Sequence, residues 1–364
     1  SFAELSGTSM AAPVVAGVAS LILSKYPNLK PYEVEAILEK TATDLGEKGY
    51  DLKYANGLVN PVAALNFDIK KLPKKETWTD ETILAKAVPL QLTEEAATKT
   101  GSFTAPEQID WMKLDIKAGE SIQAVLEGAK DYDYKLILRF YPEGKKQSEK
   151  PINVNNTRAG EIEGKLFTAK EDGTLVIGVT DANGSYSTQG KSKYTLTLQK
   201  LTTLAVDNSN KDNPIVMEQL PFDSDKSEFA PFTFVPETEG EADNDYFTFK
   251  VETPTTVKLN LSAVPGIDSA MNVYFAEDFY HPEGTDDGPH PIATASNNGS
   301  GKGEMVTFEA QPEMEYVIEV ASEPLLDSWD YNLYATASNV IEDTPASAIP
   351  YRLTAEPVTM PPDE

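Results

Sequence analysis

The sequence predicts a multidomain protein, in which a short helix-rich segment precedes two all-β antiparallel sandwich domains. Three observations predict it. The chain has 364 residues, enough for two or three domains at roughly 100–200 residues each. Its texture changes once, from apolar helical stretches to alternating, β-branched runs. The β-rich part also repeats itself. Trp111, Met112, Leu114, Ile116, Ile122, Ala124 and Leu126 match Tyr246, Phe247, Phe249, Val251, Val257, Leu259 and Leu261 at a constant offset of 135 residues.

Residues 1–66 supply the helices. Met10 to Lys25 is apolar nearly all round (Val14, Val15, Val18, Leu21, Ile22, Leu23), which predicts a helix buried on every side. Tyr26-Pro27-Asn28 ends it. Pro31 opens a second helix, with Val34, Ile37 and Leu38 facing inward and Glu33, Glu35 and Glu39 facing out. Residues 67–85 are polar, lysine-rich and aperiodic, and read as a linker.

Residues 86–200 form the first sandwich and 205–364 the second. Lys113–Lys117, Ser121–Leu126, Tyr134–Phe140, Thr174–Val179 and Lys193–Leu198 read as strands separated by Gly, Asn and Asp. Asp110 pairs with Asp245 on the same offset of 135, and Leu175–Val179 answers Tyr316–Val320 at 141. The closing Tyr194–Leu196 strand finds its counterpart in either Tyr331–Leu333 or Tyr351–Leu353. Two copies with so long a period indicate a duplicated domain rather than a solenoid. Seven or eight short strands per copy suit an antiparallel sandwich.

Composition removes several function classes. A net charge of −27 excludes a nucleic-acid binder that works by neutralising phosphates. Residues 201–364 hold 6 basic and 31 acidic side chains, so the acidity belongs to the second copy, where it favours solubility. No cysteine is present, which excludes disulfides, thiol catalysis and cysteine-based zinc sites. The longest apolar stretch, Met10–Leu23, falls short of the roughly 20 residues of a membrane span. The chain opens without a signal peptide or an initiating Met, and so reads as a piece of something longer.

Chemistry concentrates in Gly7-Thr8-Ser9-Met10-Ala11-Ala12-Pro13. A glycine turn delivers Ser9 to the start of an apolar helix, with Thr8 or Ser9 suited to the N-cap and Pro13 in or near the first turn. A hydroxyl there faces free backbone N–H groups and the positive end of the helix dipole, where an oxyanion is stabilised.

This segment resembles the nucleophile motif of the subtilisin-like serine proteases, G-T-S-M-A-x-P-x-V-A-G. Val14 stands where that family often has His, at a position outside the triad. The likeness continues through Leu21–Tyr26, the Pro31 helix ending in Lys40-Thr41-Ala42, and Asn56-Gly57-Leu58-Val59-Asn60-Pro61-Val62-Ala63-Ala64-Leu65. It implies that residues 1–66 are the C-terminal segment of an α/β subtilisin-like catalytic domain. Ser9 would then be the nucleophile, Gly7 and Thr8 would line the substrate, and the Ser9 backbone N–H would serve the oxyanion hole.

In that family the triad runs Asp, His, Ser along the chain. The base, its Asp and the oxyanion Asn are therefore expected upstream of Ser9, in an N-terminal remainder of the catalytic domain. This chain alone should be inactive. Its only histidines, His281 and His290, lie far downstream in a Pro/Gly/Asp-rich loop and read as loop residues. His281, Asp286, Asp287 and His290 fit no standard zinc spacing. Glu237, Glu239, Glu241, Asp243 and Asp245 fail the EF-hand pattern and read as a solvated, charged entry to the second sandwich. No cofactor is evident in this chain, and any calcium would belong to the remainder of the catalytic domain.

The two repeats resemble bacterial pre-peptidase C-terminal domains, on Asp110-Trp111-x-x-Leu-x-Ile and Asp245-Tyr246-Phe247-x-Phe-x-Val with later Val-Ile-x-Val and Tyr-x-Leu strands. The resemblance implies β-sandwiches appended to secreted bacterial proteases. Two functions from different classes follow: part of a secreted subtilisin-like endopeptidase acting on polypeptides, or a non-catalytic binding or surface module that retains a subtilisin remnant. A second, N-terminal polypeptide in the intact mass spectrum would favour the first.

Overall fold

The computed structural model describes residues 7–46, 48–51, 53–72, 78–187, 189–205, 209–236, 243–281, 289–323 and 345–358. They form two compact units. The first contains the chain up to Lys86 together with residues 102–108 and 183–193; the second contains the rest.

In the first unit, α1 (Thr8–Lys25), α2 (Pro31–Thr41) and α3 (Pro61–Leu65) share a small core. Val18 and Ile22 from α1 meet Val34 and Ile37 from α2 and Ala64 from α3. Local chemistry sets the starts. Pro31 is the first residue of α2, and the Glu33 carboxylate accepts the Lys30 N–H at 2.8 Å. The Asn60 side chain caps α3 by accepting the Ala63 N–H at 3.0 Å.

The expectation that α1 is buried on every side is corrected. Only Val18 and Ile22 are buried, whereas Met10, Val14, Val15, Leu21 and Leu23 are exposed. The physical reason is one-sided packing, since this core meets a single face of the helix. The described residues between 67 and 86 carry two short helical elements. Ile69–Lys71 makes a 3-10 turn, and α4 (Asp80–Lys86) buries Ile83, with Asp80 and Glu81 in its first turn and Lys86 in its last. Among the described residues up to Lys86 the β structure is limited to isolated bridges, Thr43–Leu58 and Asp51–Ala55.

The second unit is built from β-sheets. In the first copy, β1 (Val88–Pro89), β3 (Asp110–Ile116), β8 (Gly173–Asp181), β5 (Tyr134–Pro142) and β6 (Ile152–Val154) form one sheet in that order. β2 (Ala97–Ser102), β9 (Lys193–Leu201), β4 (Ser121–Gly128) and β7 (Glu163–Thr168) form the other. The second copy repeats this topology. Its five-stranded sheet runs β10 (Ile215–Val216), β13 (Asn244–Lys250), β18 (Glu315–Glu323), β15 (Asp268–Phe275) and β16 (Ala293–Ala295). Its four-stranded sheet runs β11 (Phe222–Asp223), β20 (Leu353–Pro357), β14 (Thr255–Leu261) and β17 (Glu304–Ala310). A two-stranded ribbon, β12 (Phe232–Phe234) with β19 (Ser347–Tyr351), has no counterpart among the described residues of the first copy. The short helix α5 (Ala276–Tyr280) follows β15.

Register follows the repeat residue for residue. Trp111 lies opposite Gly178 as Tyr246 lies opposite Glu319, and Ile122 opposite Phe167 as Val257 opposite Phe308. Alternate residues of both second-copy sheets meet in one core, including Phe247, Phe249, Ile318, Val257 and Leu259. The ladders depart from the antiparallel expectation at one edge in each copy, where β1 pairs β3 and β10 pairs β13 in parallel. The cause is connectivity: the chain visits the opposite sheet through β2 or β11 before it returns.

The closing strand is settled by a hydrogen bond. The Tyr194 hydroxyl donates to Asp110 Oδ2 at 2.7 Å, and the Tyr351 hydroxyl donates to Asp245 Oδ2 at 2.5 Å. Tyr351–Leu353 is therefore the second copy's closing segment; Tyr331–Leu333 lies outside the described residues.

Candidate active site

The site begins at Gly7, whose φ of 137° belongs to the region that favours glycine. Gly7 is the N-cap of α1, and its carbonyl accepts the N–H groups of Met10 at 3.0 Å and Ala11 at 3.2 Å. This corrects the expectation that Thr8 or Ser9 caps the helix, because the turn is closed by a backbone carbonyl and no side chain caps it. Thr8 and Ser9 occupy the first two helical positions, and both are exposed. N–H groups at these positions have no carbonyl one turn back to donate to.

Pro13 lies deeper than expected, inside α1 rather than at its start. Lacking an N–H, it gives nothing to the Ser9 carbonyl four residues earlier. The start of α1 therefore combines an exposed hydroxyl, outward amides and the positive end of an 18-residue helix. Such a place suits a nucleophile whose attack creates an oxyanion.

The other candidates are described only in part. His281 and His290 are described, and each spends its backbone N–H locally, on the Glu277 carbonyl at 2.9 Å and on Asp278 Oδ2 at 3.2 Å. Asp286, Asp287, Glu237, Glu239 and Glu241 lie outside the described residues. Asp243 and Asp245 are buried, and Asp245 receives the Tyr351 hydroxyl, so neither belongs to a solvated entry. Among the described residues, no three His, Asp or Glu side chains gather in a way that could hold a metal ion.

Comparison with known proteins bears on the same stretch. Residues 1–57 match the subtilase family. Subtilisin DY of Bacillus licheniformis is 52% identical over 63 residues, covering 17% of this chain and 22% of that protein. Fervidolysin of Fervidobacterium pennivorans is 49% identical over 59 residues, 16% of this chain and 8% of that one. An extracellular serine protease of Serratia marcescens is 42% identical over 65 residues, 18% of this chain and 6% of that one. The chain thus spans less than a quarter of the length of these relatives.

Among solved structures, the Aeromonas hydrophila periplasmic inhibitor of g-type lysozyme, PliG, aligns over 32% of this chain and 96% of its own. Its identity is 18% and its TM-score 0.21. A tandem CBM22 structure from Paenibacillus barcinonensis Xyn10C aligns over 73% of this chain and 87% of its own, at 10% identity and a TM-score of 0.20. Both scores are too low to bear on fold or function.

Helix α1 also has the length and apolarity of a membrane span. The structure extends it to 18 residues from the 14-residue apolar stretch, by adding polar residues at its ends.

Proposed function

We propose that this chain is the C-terminal portion of a secreted bacterial subtilisin-like serine endopeptidase. The observation that carries the reading is a coincidence of two things: the subtilase match over residues 1–57, and Ser9 standing exposed on the first turn of an apolar helix. In this reading α1 is a catalytic-core helix and not a membrane span. Its exposed apolar face is the face that the remainder of the catalytic domain covers.

Ser9 Oγ would attack the scissile carbonyl carbon while its proton passes to a histidine supplied by that remainder. The C=O electrons move onto oxygen, and the resulting oxyanion is held by the Ser9 backbone N–H with a donor from the remainder. Collapse breaks the C–N bond, the departing amine takes the proton, and water then releases the acyl group. Gly7 and Thr8 would lie along the bound polypeptide. The two β-rich copies are accessory domains of the pre-peptidase C-terminal kind.

The test compares the full-length open reading frame with its Ser9→Ala variant, by hydrolysis of a peptide substrate and by labelling with a fluorophosphonate. Hydrolysis and label on Ser9, both abolished in the variant, are expected. Equal hydrolysis by the two proteins would overturn the reading.

A further inference from the structure

Residues 44–57 and 183–193 meet inside the first unit. The ring of Tyr50 stacks on that of Tyr186, with centroids 4.7 Å apart and planes 27° apart. The Tyr186 hydroxyl donates to Asn56 Oδ1 at 3.2 Å, and the Tyr50 hydroxyl donates to Ser185 Oγ at 3.2 Å. Gln189 Nε2 donates to the Lys48 carbonyl at 3.1 Å. One aromatic pair and three hydrogen bonds thus join a subtilase-matching loop to a connection that lies more than 120 residues later.

The later connection is built to hold a shape. Buried Ser192 accepts the Phe103 N–H at 3.0 Å and donates to the Phe103 carbonyl at 2.6 Å. Ser187 donates its N–H to that same carbonyl at 2.9 Å, and its hydroxyl accepts the N–H groups of Gln189 and Lys191. A loop whose buried serines tie it to its own backbone and to that of Phe103 is pre-organised, and pre-organisation lowers the entropic cost of docking.

The second copy uses the equivalent connection in the same way. Between β18 and β20 it carries β19, whose Ser347 hydroxyl and Ala348 N–H both donate to Gln123 Oε1 on β4, at 3.3 and 2.9 Å. In each copy, the connection before the closing strand binds a piece of chain that comes earlier.

We infer that residues 183–193 are a docking surface whose partner is the Thr43–Leu58 loop of the subtilase-like segment. Within the first unit, the later connection is then joined to that segment by side-chain contacts of its own. The inference goes beyond the proposed activity and does not require it.

Hydrogen–deuterium exchange on the full chain tests this. The amides of Thr43, Asp51, Ala55, Gly57 and Leu58 are hydrogen-bonded and report opening of the loop. Tyr186→Ala is expected to speed their exchange by about tenfold, from loss of one ring pair and one hydrogen bond. Amides of β3 and β8 should keep their rates. Tyr186→Phe keeps the stack and should give a smaller rise. An unchanged rate at residues 43–58 in Tyr186→Ala, or an equal rise across β3 and β8, would overturn the inference. Should Tyr186→Ala fail to fold, Gln189→Ala carries the test: faster exchange at residues 48–51 supports docking, and an unchanged rate refutes it.

Discussion

Replacing Gly164 by alanine should destabilise the second unit, although alanine is ordinarily the better strand residue. A β-carbon there would stand 2.4 Å from both the carbonyl carbon and the oxygen of Pro265, and 2.8 Å from the Gly266 nitrogen. All three are backbone atoms, so no side chain can rotate away, and the two copies must separate locally. Overpacking of this kind costs about 1–3 kcal/mol. The same contact holds the Gln123 bonds to Ser347 and Ala348 and the Lys302–Glu161 ion pair at 2.7 Å, and separation strains both. At roughly 2–4 °C per kcal/mol for a unit of this size, the melting temperature should fall by about 2–12 °C. Calorimetry of the full chain is the assay, and the loss should come with a broadened or split transition as the copies uncouple. A Gly164→Ala protein that melts at or above the wild-type temperature would show that the copies do not press on each other here.

Three further outcomes are expected. The isolated 364-residue chain should neither turn over a chromogenic peptide nor take a fluorophosphonate label on Ser9, since an unactivated hydroxyl is a poor nucleophile; turnover by the pure chain would refute this. The apolar face of α1 should bind a hydrophobic dye and promote self-association, and Leu21→Lys, at a side chain 50% exposed, should reduce both without unfolding the protein. Burial, ahead of smaller contributions, pushes the Tyr134 hydroxyl up to about 12 and that of Tyr246 likewise to about 12. Both folded values lie above the unfolded value of about 10, so this contribution to stability is complete below pH ~10 and is lost as pH rises toward ~12. Tyrosinate absorbance should therefore lag a free-tyrosine titration and rise together with loss of circular dichroism. Full ionisation of every tyrosine near pH 10 in the folded protein would contradict it.

The duplication was legible because strand pairing preserves spacing. Residues that alternate toward a core must keep their separation, so Trp111 and Tyr246 announced each other across 135 positions. The closing strand was ambiguous because the second copy inserts chain just before it; the Asp245–Tyr351 bond and the pairing of Leu353 with β14 identify it. At Ser9 the motif disclosed the residue and the helix. The sequence could not show which face of α1 would be covered, because an all-round apolar pattern has no preferred side. Nor could it reveal that Tyr50 meets Tyr186, since two polar loops far apart in sequence carry no shared periodicity.

The contact between the copies runs in one direction, from the later copy back to the earlier one. A module that reaches back to its predecessor can be multiplied by gene duplication, each new copy bringing its own hook, provided the copy before it keeps the eye. The first copy keeps it, as Gln123 on β4 and Gly164 on β7. At the positions that match them by register, the second copy carries Lys258 on β14 and Met305 on β17, the latter 56% exposed. Lysine offers no acceptor to an incoming N–H, and methionine fills the space that glycine left open. At these two positions the second copy therefore does not offer the surface that the first copy presents to it.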